Sequence, residues 1–319
     1  MIEVEHLSKR YGDHLVVDDL TFTVEPGTVT GFLGPNGAGK STTMRMIAGL
    51  DAPTAGRVLV NGRPYPQSSR PMAEMGMLLD AKGIHPGRSA RNHLLALAQT
   101  NAIPSSRVDE VLAMVGLTDV ARGRVGGFSL GMGQRLGVAT ALLGNPQVVV
   151  LDEPVNGLDP EGVLWIRNLL TTLAREGRTV FISSHLMSEM ALTATRLVVI
   201  GQGKLLADTT VDDFVADATG GWVTVGTPDA DELAVLLRGP AVEVRRDGPE
   251  QLRVTGLTAR QIGTAAWEAH MPVHELAAHQ PSLEEAFMQM TRESVEYHAA
   301  DPASTSTTST TPETVGAAS

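Results

Sequence analysis

The nine residues GPNGAGKST, positions 34–42, constrain this chain more than any other stretch. They fit the spacing G-x-x-x-x-G-K-[ST], after an apolar run (TVTGFL, residues 28–33) and before a segment with helical periodicity. A strand that turns directly into a helix leaves a row of backbone N–H groups facing one point at the positive end of that helix. Gly34, Gly37 and Gly39 let the turn close inward, with Pro35, Asn36 and Ala38 between them. Lys40 then supplies a point charge between phosphates, the Ser41 hydroxyl is suited to Mg2+, and Thr42 follows in the helix. The competing reading, a tight turn with a solvated lysine, leaves the strand–loop–helix setting unexplained.

A second glycine-bearing loop, FSLGMGQRLG at residues 128–137, also runs into a helical segment. A third stretch, VVVLDEP, sets Asp152 and Glu153 at the end of an apolar strand. In an α/β sheet, ligands gather at the carboxyl ends of the strands. Beside a phosphate cradle, Asp152 suits Mg2+ through water and Glu153 suits a general base for an attacking water. Taken alone, two such acids would read as a solvated loop.

The remaining composition limits the alternatives. With 36 Asp plus Glu against 25 Lys plus Arg, the formal charge is -11, which disfavours a nucleic-acid binder. The chain has no cysteine, hence no disulfide and no thiolate metal site. The acids in MIEVEHLSKRYG argue against a signal peptide, and no apolar run approaches the roughly 18–20 residues of a membrane helix. A soluble chain is expected.

Residues 148–151 and 179–183 read, with 28–33, as central strands buried on both faces. Residues 160–176 read as a helix with Asp159 at the N-cap, Pro160 at the first position and Gly177 as the stop. Helical periodicity fills residues 88–143. Beyond residue 213 the composition changes, and strands are expected at 222–225, 242–246, 251–255 and 273–277, with helices at 229–237 and 259–270. That β-α-β-β-α-β order predicts a ferredoxin-like unit, with a final helix over 282–293 packed against it. Residues 299–319, rich in Ser, Thr and Pro, are expected to be disordered.

Together these motifs resemble the nucleotide-binding subunit of an ABC transporter, in family order over roughly two-thirds of the chain. The resemblance implies that Tyr11 stacks on adenine, that FSLGMGQ is a variant of the family signature with Ser129 and Gly131 as its phosphate-facing residues, and that Asp159 is the D-loop aspartate. It also makes His185 the switch histidine at the γ-phosphate. Two departures stand out. Leu130 and Met132 replace Gly and Gln in the signature, and Asp80 stands where the family has the Q-loop glutamine. An aspartate there adds about 3 kcal/mol of repulsion at ~5 Å and an effective dielectric of ~20 before Mg2+ offsets it, so Asp80 either ligates the metal or stays withdrawn until a partner moves it.

The implied fold is α/β: a P-loop ATPase core over residues 1–215 with a helical subdomain at about 88–143, then a small α+β unit at 221–296. The implied activity is ATP hydrolysis with Mg2+, catalysed by Glu153, His185 and Lys40 with Ser41, Asp152 and Asp80 at the metal. Two copies would sandwich ATP head to tail, the second cradle serving the partner's nucleotide. They would drive a separate multi-span permease from the cytoplasmic face, exporting a drug-like or hydrophobic compound. Residues 80–93 would grip that permease. A soluble ABC-type ATPase on ribosomes or DNA is the alternative, disfavoured by the single cassette and the acidic balance.

Overall fold

The computed structural model describes residues 1–80, 83–217, 221–279 and 281–291, so the expected disordered tail lies outside the described residues. The chain opens with two long strands, β1 (Ile2–Tyr11) and β2 (His14–Val24), followed by β3 (Val29–Leu33), α1 (Lys40–Ile47) and β4 (Ala55–Val60). Next come α2 (Pro71–Glu74), β5 (Met75–Leu78), α3 (Ala90–Thr100), α4 (Ser105–Met114) and α5 (Leu130–Leu142). Then β6 (Val148–Leu151), α6 (Pro160–Arg175), β7 (Thr179–Ser183), α7 (Met187–Thr193), β8 (Arg196–Gly201), β9 (Lys204–Thr210) and α8 (Val211–Asp217) complete the first body.

Six of these strands form one sheet in the order β5-β6-β7-β3-β8-β9, parallel except for β9. Strands β3, β6 and β7 are buried at every residue, because the sheet is covered on both faces. On one face lies the antiparallel sheet β2-β1-β4, joined to the parallel one by Phe22, Phe32 and Phe181, whose ring centroids lie 5.0 to 5.9 Å apart. On the other face α3 to α7 bury a second core. The sheet β2-β1-β4 is not among the expected strands. Register shifts between Val4 and Leu7 and again up to Arg10 break the period-two alternation that marks a half-buried strand.

Helix α6 has the ends its sequence specifies. Asp159 Oδ1 accepts from the Gly162 amide at 2.9 Å, Pro160 opens the helix, and Gly177 follows it with φ 86°.

The second body comprises β10 (Trp222–Gly226), α9 (Ala230–Leu236), β11 (Glu243–Gly248), β12 (Gln251–Thr255), α10 (Ala259–Glu268) and β13 (Glu275–His279). Its sheet runs β11-β12-β10-β13, all antiparallel, the order of a ferredoxin-like unit. Val223, Val225, Leu252 and Val254 face α9 and α10 in a separate core. Most boundaries fall within two residues of expectation. The last helix, α11 (Leu283–Thr291), corrects it. Instead of packing on this sheet, α11 lies against α7 and α8, with Leu283, Ala286 and Phe287 buried in the core that holds Met187, Met190 and Phe214. An amphipathic face needs an apolar surface and does not encode which one.

Candidate functional site

Strand β3 delivers Gly34 into the turn at its carboxyl end. Gly39 closes that turn as the N-cap of α1 with φ 101°, and a Cβ there would lie 2.8 Å from the Val16 carbonyl oxygen. Only glycine meets both demands. Lys40 folds back over the loop, its Nζ donating to the carbonyl oxygens of Gly34 at 2.6 Å and Pro35 at 3.1 Å. Burial lowers the Lys40 ammonium from its ordinary value, opposed by the carboxylates of Glu153 and Asp152. The turn itself is held by the Ala38 amide on the Pro35 carbonyl at 3.2 Å, and Thr42 is half-buried in the first turn of α1.

Strands β6, β7 and β3 are neighbours, so their carboxyl ends bring three loops together. Ser41 Oγ donates to Asp152 Oδ2 at 3.0 Å, and Ser183 Oγ donates to Asp152 Oδ1. The same Ser183 hydroxyl accepts from the Glu153 amide at 2.9 Å. Glu153 adopts φ 51°, a left-handed backbone that non-glycine residues rarely take. Its Oε2 accepts from His185 Nδ1 at 2.7 Å and from the His185 amide at 3.3 Å. Lys40, Ser41, Asp152, Glu153 and His185 therefore meet at the carboxyl ends of three adjacent central strands.

The donor set fits Mg2+. A hydroxyl and a carboxylate are hard oxygen ligands, and Mg2+ takes one or two of these while phosphates and waters fill the octahedron. No group of three or more His, Cys, Asp or Glu among the described residues could hold a metal alone. Asp80 lies two residues beyond β5, the strand beside β6, and its carbonyl accepts from the Gly83 amide at 3.4 Å.

The cavity beside the loop, of about 360 Å³, lies between His14 and Leu15 of β2 and residues 35–38. Tyr11 is outside its lining: its hydroxyl donates to Asp51 at 3.0 Å and Lys9 Nζ sits 4.8 Å from the ring centroid. A larger cavity of about 850 Å³ opens among Arg70, Asn101 and Arg107, but it contains none of the phosphate-loop residues. The smaller cavity borders the phosphate loop at residues 35–38, and neither cavity is lined by Lys40, Ser41, Asp152, Glu153 or His185.

The second glycine loop is built around α5. Ser129 is its N-cap, Oγ accepting from the Met132 amide at 3.2 Å. A Cβ on Gly131 would lie 3.0 Å from the Gly157 carbonyl oxygen, so this loop packs on the turn that leads to Asp159. Two residues outside the expected set complete the site. Ser183 bridges Asp152 and Glu153, and the buried Gln134 donates through Nε2 to the Glu153 carbonyl at 3.0 Å. A serine closing the apolar run TVFIS and a glutamine inside an apolar helix were the available signals.

Residues 17–156 match the family described as ABC transporter, and residues 221–284 match one described as a domain of unknown function. The chain is 35% identical over 305 residues to the uncharacterized ABC transporter ATP-binding protein YhcH of Bacillus subtilis (strain 168), covering 93% of this chain and 97% of that protein. It is 41% identical over 215 residues to the bacitracin transport ATP-binding protein BcrA of Bacillus licheniformis, covering 66% of this chain and 70% of that one. A solved ATP-binding subunit of an ABC transporter superposes with TM-score 0.63 at 25% identity, over 68% of this chain and 92% of that structure. The dimeric MJ0796 cassette, at 23% identity and TM-score 0.61 over 66% of this chain and 98% of its own, shares the fold.

Proposed function

The chain belongs to the ATP-binding subunits of ABC transporters, and from that premise we propose which residues hydrolyse the nucleotide and what the hydrolysis moves. The observation that carries the assignment is the meeting of Lys40, Ser41, Asp152, Glu153 and His185 at the carboxyl ends of β3, β6 and β7. Lys40 exchanges its two carbonyl partners for phosphate oxygens, while the loop amides from Gly37 onward surround the β-phosphate. Ser41 and Asp152 would hold Mg2+, which when bound would supply charge neutralisation at the transferring phosphoryl group. Glu153 takes the proton of the attacking water, and His185 fixes its carboxylate through Nδ1 while turning the rest of the ring toward the γ-phosphate.

The site is completed by a second copy. Ser129 and Gly131, at the positive end of α5, cover the nucleotide held on the partner's loop in a head-to-tail pair. The half-exposed Leu130 between them supports this reading, since it is an apolar residue in the surface that a second copy would cover. No helix among the described residues is long and apolar enough to cross a membrane. Relatives are named for bacitracin transport, lantibiotic transport and Nod factor export. By extension this subunit works at the cytoplasmic face on a permease that exports a compound of the drug or antibiotic kind.

Glu153→Gln tests the assignment, because the amide keeps the shape and removes the base. ATP binding should persist, measured by equilibrium titration, while steady-state phosphate release falls 10²–10⁴-fold. Release at the wild-type rate would remove Glu153 from the role.

A further inference from the structure

We propose that Gln134 is a positioning residue through which the signature helix of one chain holds that chain's own hydrolytic base. The proposal rests on the head-to-tail reading above. Helix α5 is apolar on its buried side, where Leu136, Val138, Ala139 and Leu142 are in the core, yet Gln134 is buried among them at 5% exposure. A buried primary amide requires a partner. Its Nε2 has one in the carbonyl of Glu153 at 3.0 Å.

That carbonyl belongs to a residue whose backbone needs support. With φ at 51°, Glu153 persists only if the surroundings fix the peptides on both sides of it. Ser183 grips the peptide before it, through the amide at 2.9 Å, and Gln134 grips the peptide after it. The side chain between those two grips is the carboxylate that meets His185. Shifting either grip re-aims the carboxylate.

The two ends of α5 then have different duties. Ser129 caps the helix, and Gln134 lies five residues on, about 7.5 Å along the axis. The head of α5 contacts ATP on the partner, and a turn and a half later the same rigid element contacts the base of its own site. Seating the partner's nucleotide therefore fixes Glu153 in this chain, and the two sites fire in concert.

Gln134→Met keeps the volume and removes the donor. In the full-length chain, ATP hydrolysis should lose 10-fold or more in kcat with KM within twofold of wild type, and the Hill coefficient for ATP should fall from above 1 to 1. ATP-driven dimerisation, read by ultracentrifugation of Glu153→Gln and Glu153→Gln/Gln134→Met proteins, should be the same in both. Unchanged kcat in Gln134→Met, a wild-type Hill coefficient of 1, or dimerisation lost with kcat would each overturn the proposal. Ser129→Arg in parallel separates the two readings. If that variant hydrolyses ATP at the wild-type rate, the head-to-tail premise fails and the coupling fails with it. If Ser129→Arg is inactive while Gln134→Met is active, the premise stands and only the role of Gln134 is lost.

Discussion

Ser183 gives one hydroxyl to two neighbours, donating to the Asp152 carboxylate and accepting the Glu153 amide. It is fully buried, so water cannot replace it when it is removed. Ser183→Ala should lower kcat roughly tenfold and stability by about 1–3 kcal/mol, the usual cost of an orphaned buried donor. Denaturant titration and steady-state turnover check the pair of effects, and an unchanged kcat would reduce Ser183 to packing. Residues of this kind divide what could be read in the sequence from what could not. Lys40 and Ser41 stand at a motif spacing and Asp152 at the end of an apolar run, so their placement together was legible in the sequence. Ser183 bonds to residues 31 and 30 positions away, and Gln134 to one 19 positions away. No local spacing records such a bond.

At the scale of elements, local rules specified what they could. Asp159, Pro160 and Gly177 set the ends of α6, and the β-α-β-β-α-β order set the sheet β11-β12-β10-β13. Helix α11 escaped, because its apolar stripe fits any apolar surface. Its anchoring predicts that Phe287→Ala destabilises the ATP-binding body by about 3 kcal/mol, a fall in Tm of roughly 6–12 °C. Scanning calorimetry of the whole chain with and without ATP identifies the transition, since only the nucleotide-binding body gains stability from ATP. A shift confined to the ATP-insensitive transition would return α11 to the second sheet. A second element carries a pH signature. His93 of α3 reaches Thr140 of α5 through Nε2 at 3.3 Å, and burial, aided by the Arg88 charge, lowers its pKa from 6.5. Between the folded value and 6.5 the unfolded chain binds more protons, so stability falls as the pH drops through that window. Urea unfolding at pH 7.5, 6.5 and 5.5 should show a smaller fall in His93→Gln than in the wild type. Equal falls would place the titration elsewhere.

For the whole molecule, the prediction concerns two copies. Lys40→Ala loses the nucleotide but keeps a sound α5 head, whereas Ser129→Arg keeps ATP and blocks the docking surface. Neither variant alone should associate with ATP. Mixed, they rebuild one good site from Lys40 of one chain and Ser129 of the other, and ultracentrifugation should show ATP-dependent association partly restored. Association by Ser129→Arg alone would end the composite site. The path of the chain has its own consequence. It leaves the ATP-binding body after α8, builds the second sheet, and comes back as α11 to cover Met187 and Met190. The small unit is therefore spliced into the large one rather than hung from its end. A protease cut in the turn at Pro249 and Glu250, between β11 and β12, severs the backbone yet leaves α11 seated. A stop codon at the same position strips α11 away and uncovers the flank of the helix that follows His185. A nick and a truncation at one residue are thus different injuries to this protein, and only the second reaches the loop that carries His185.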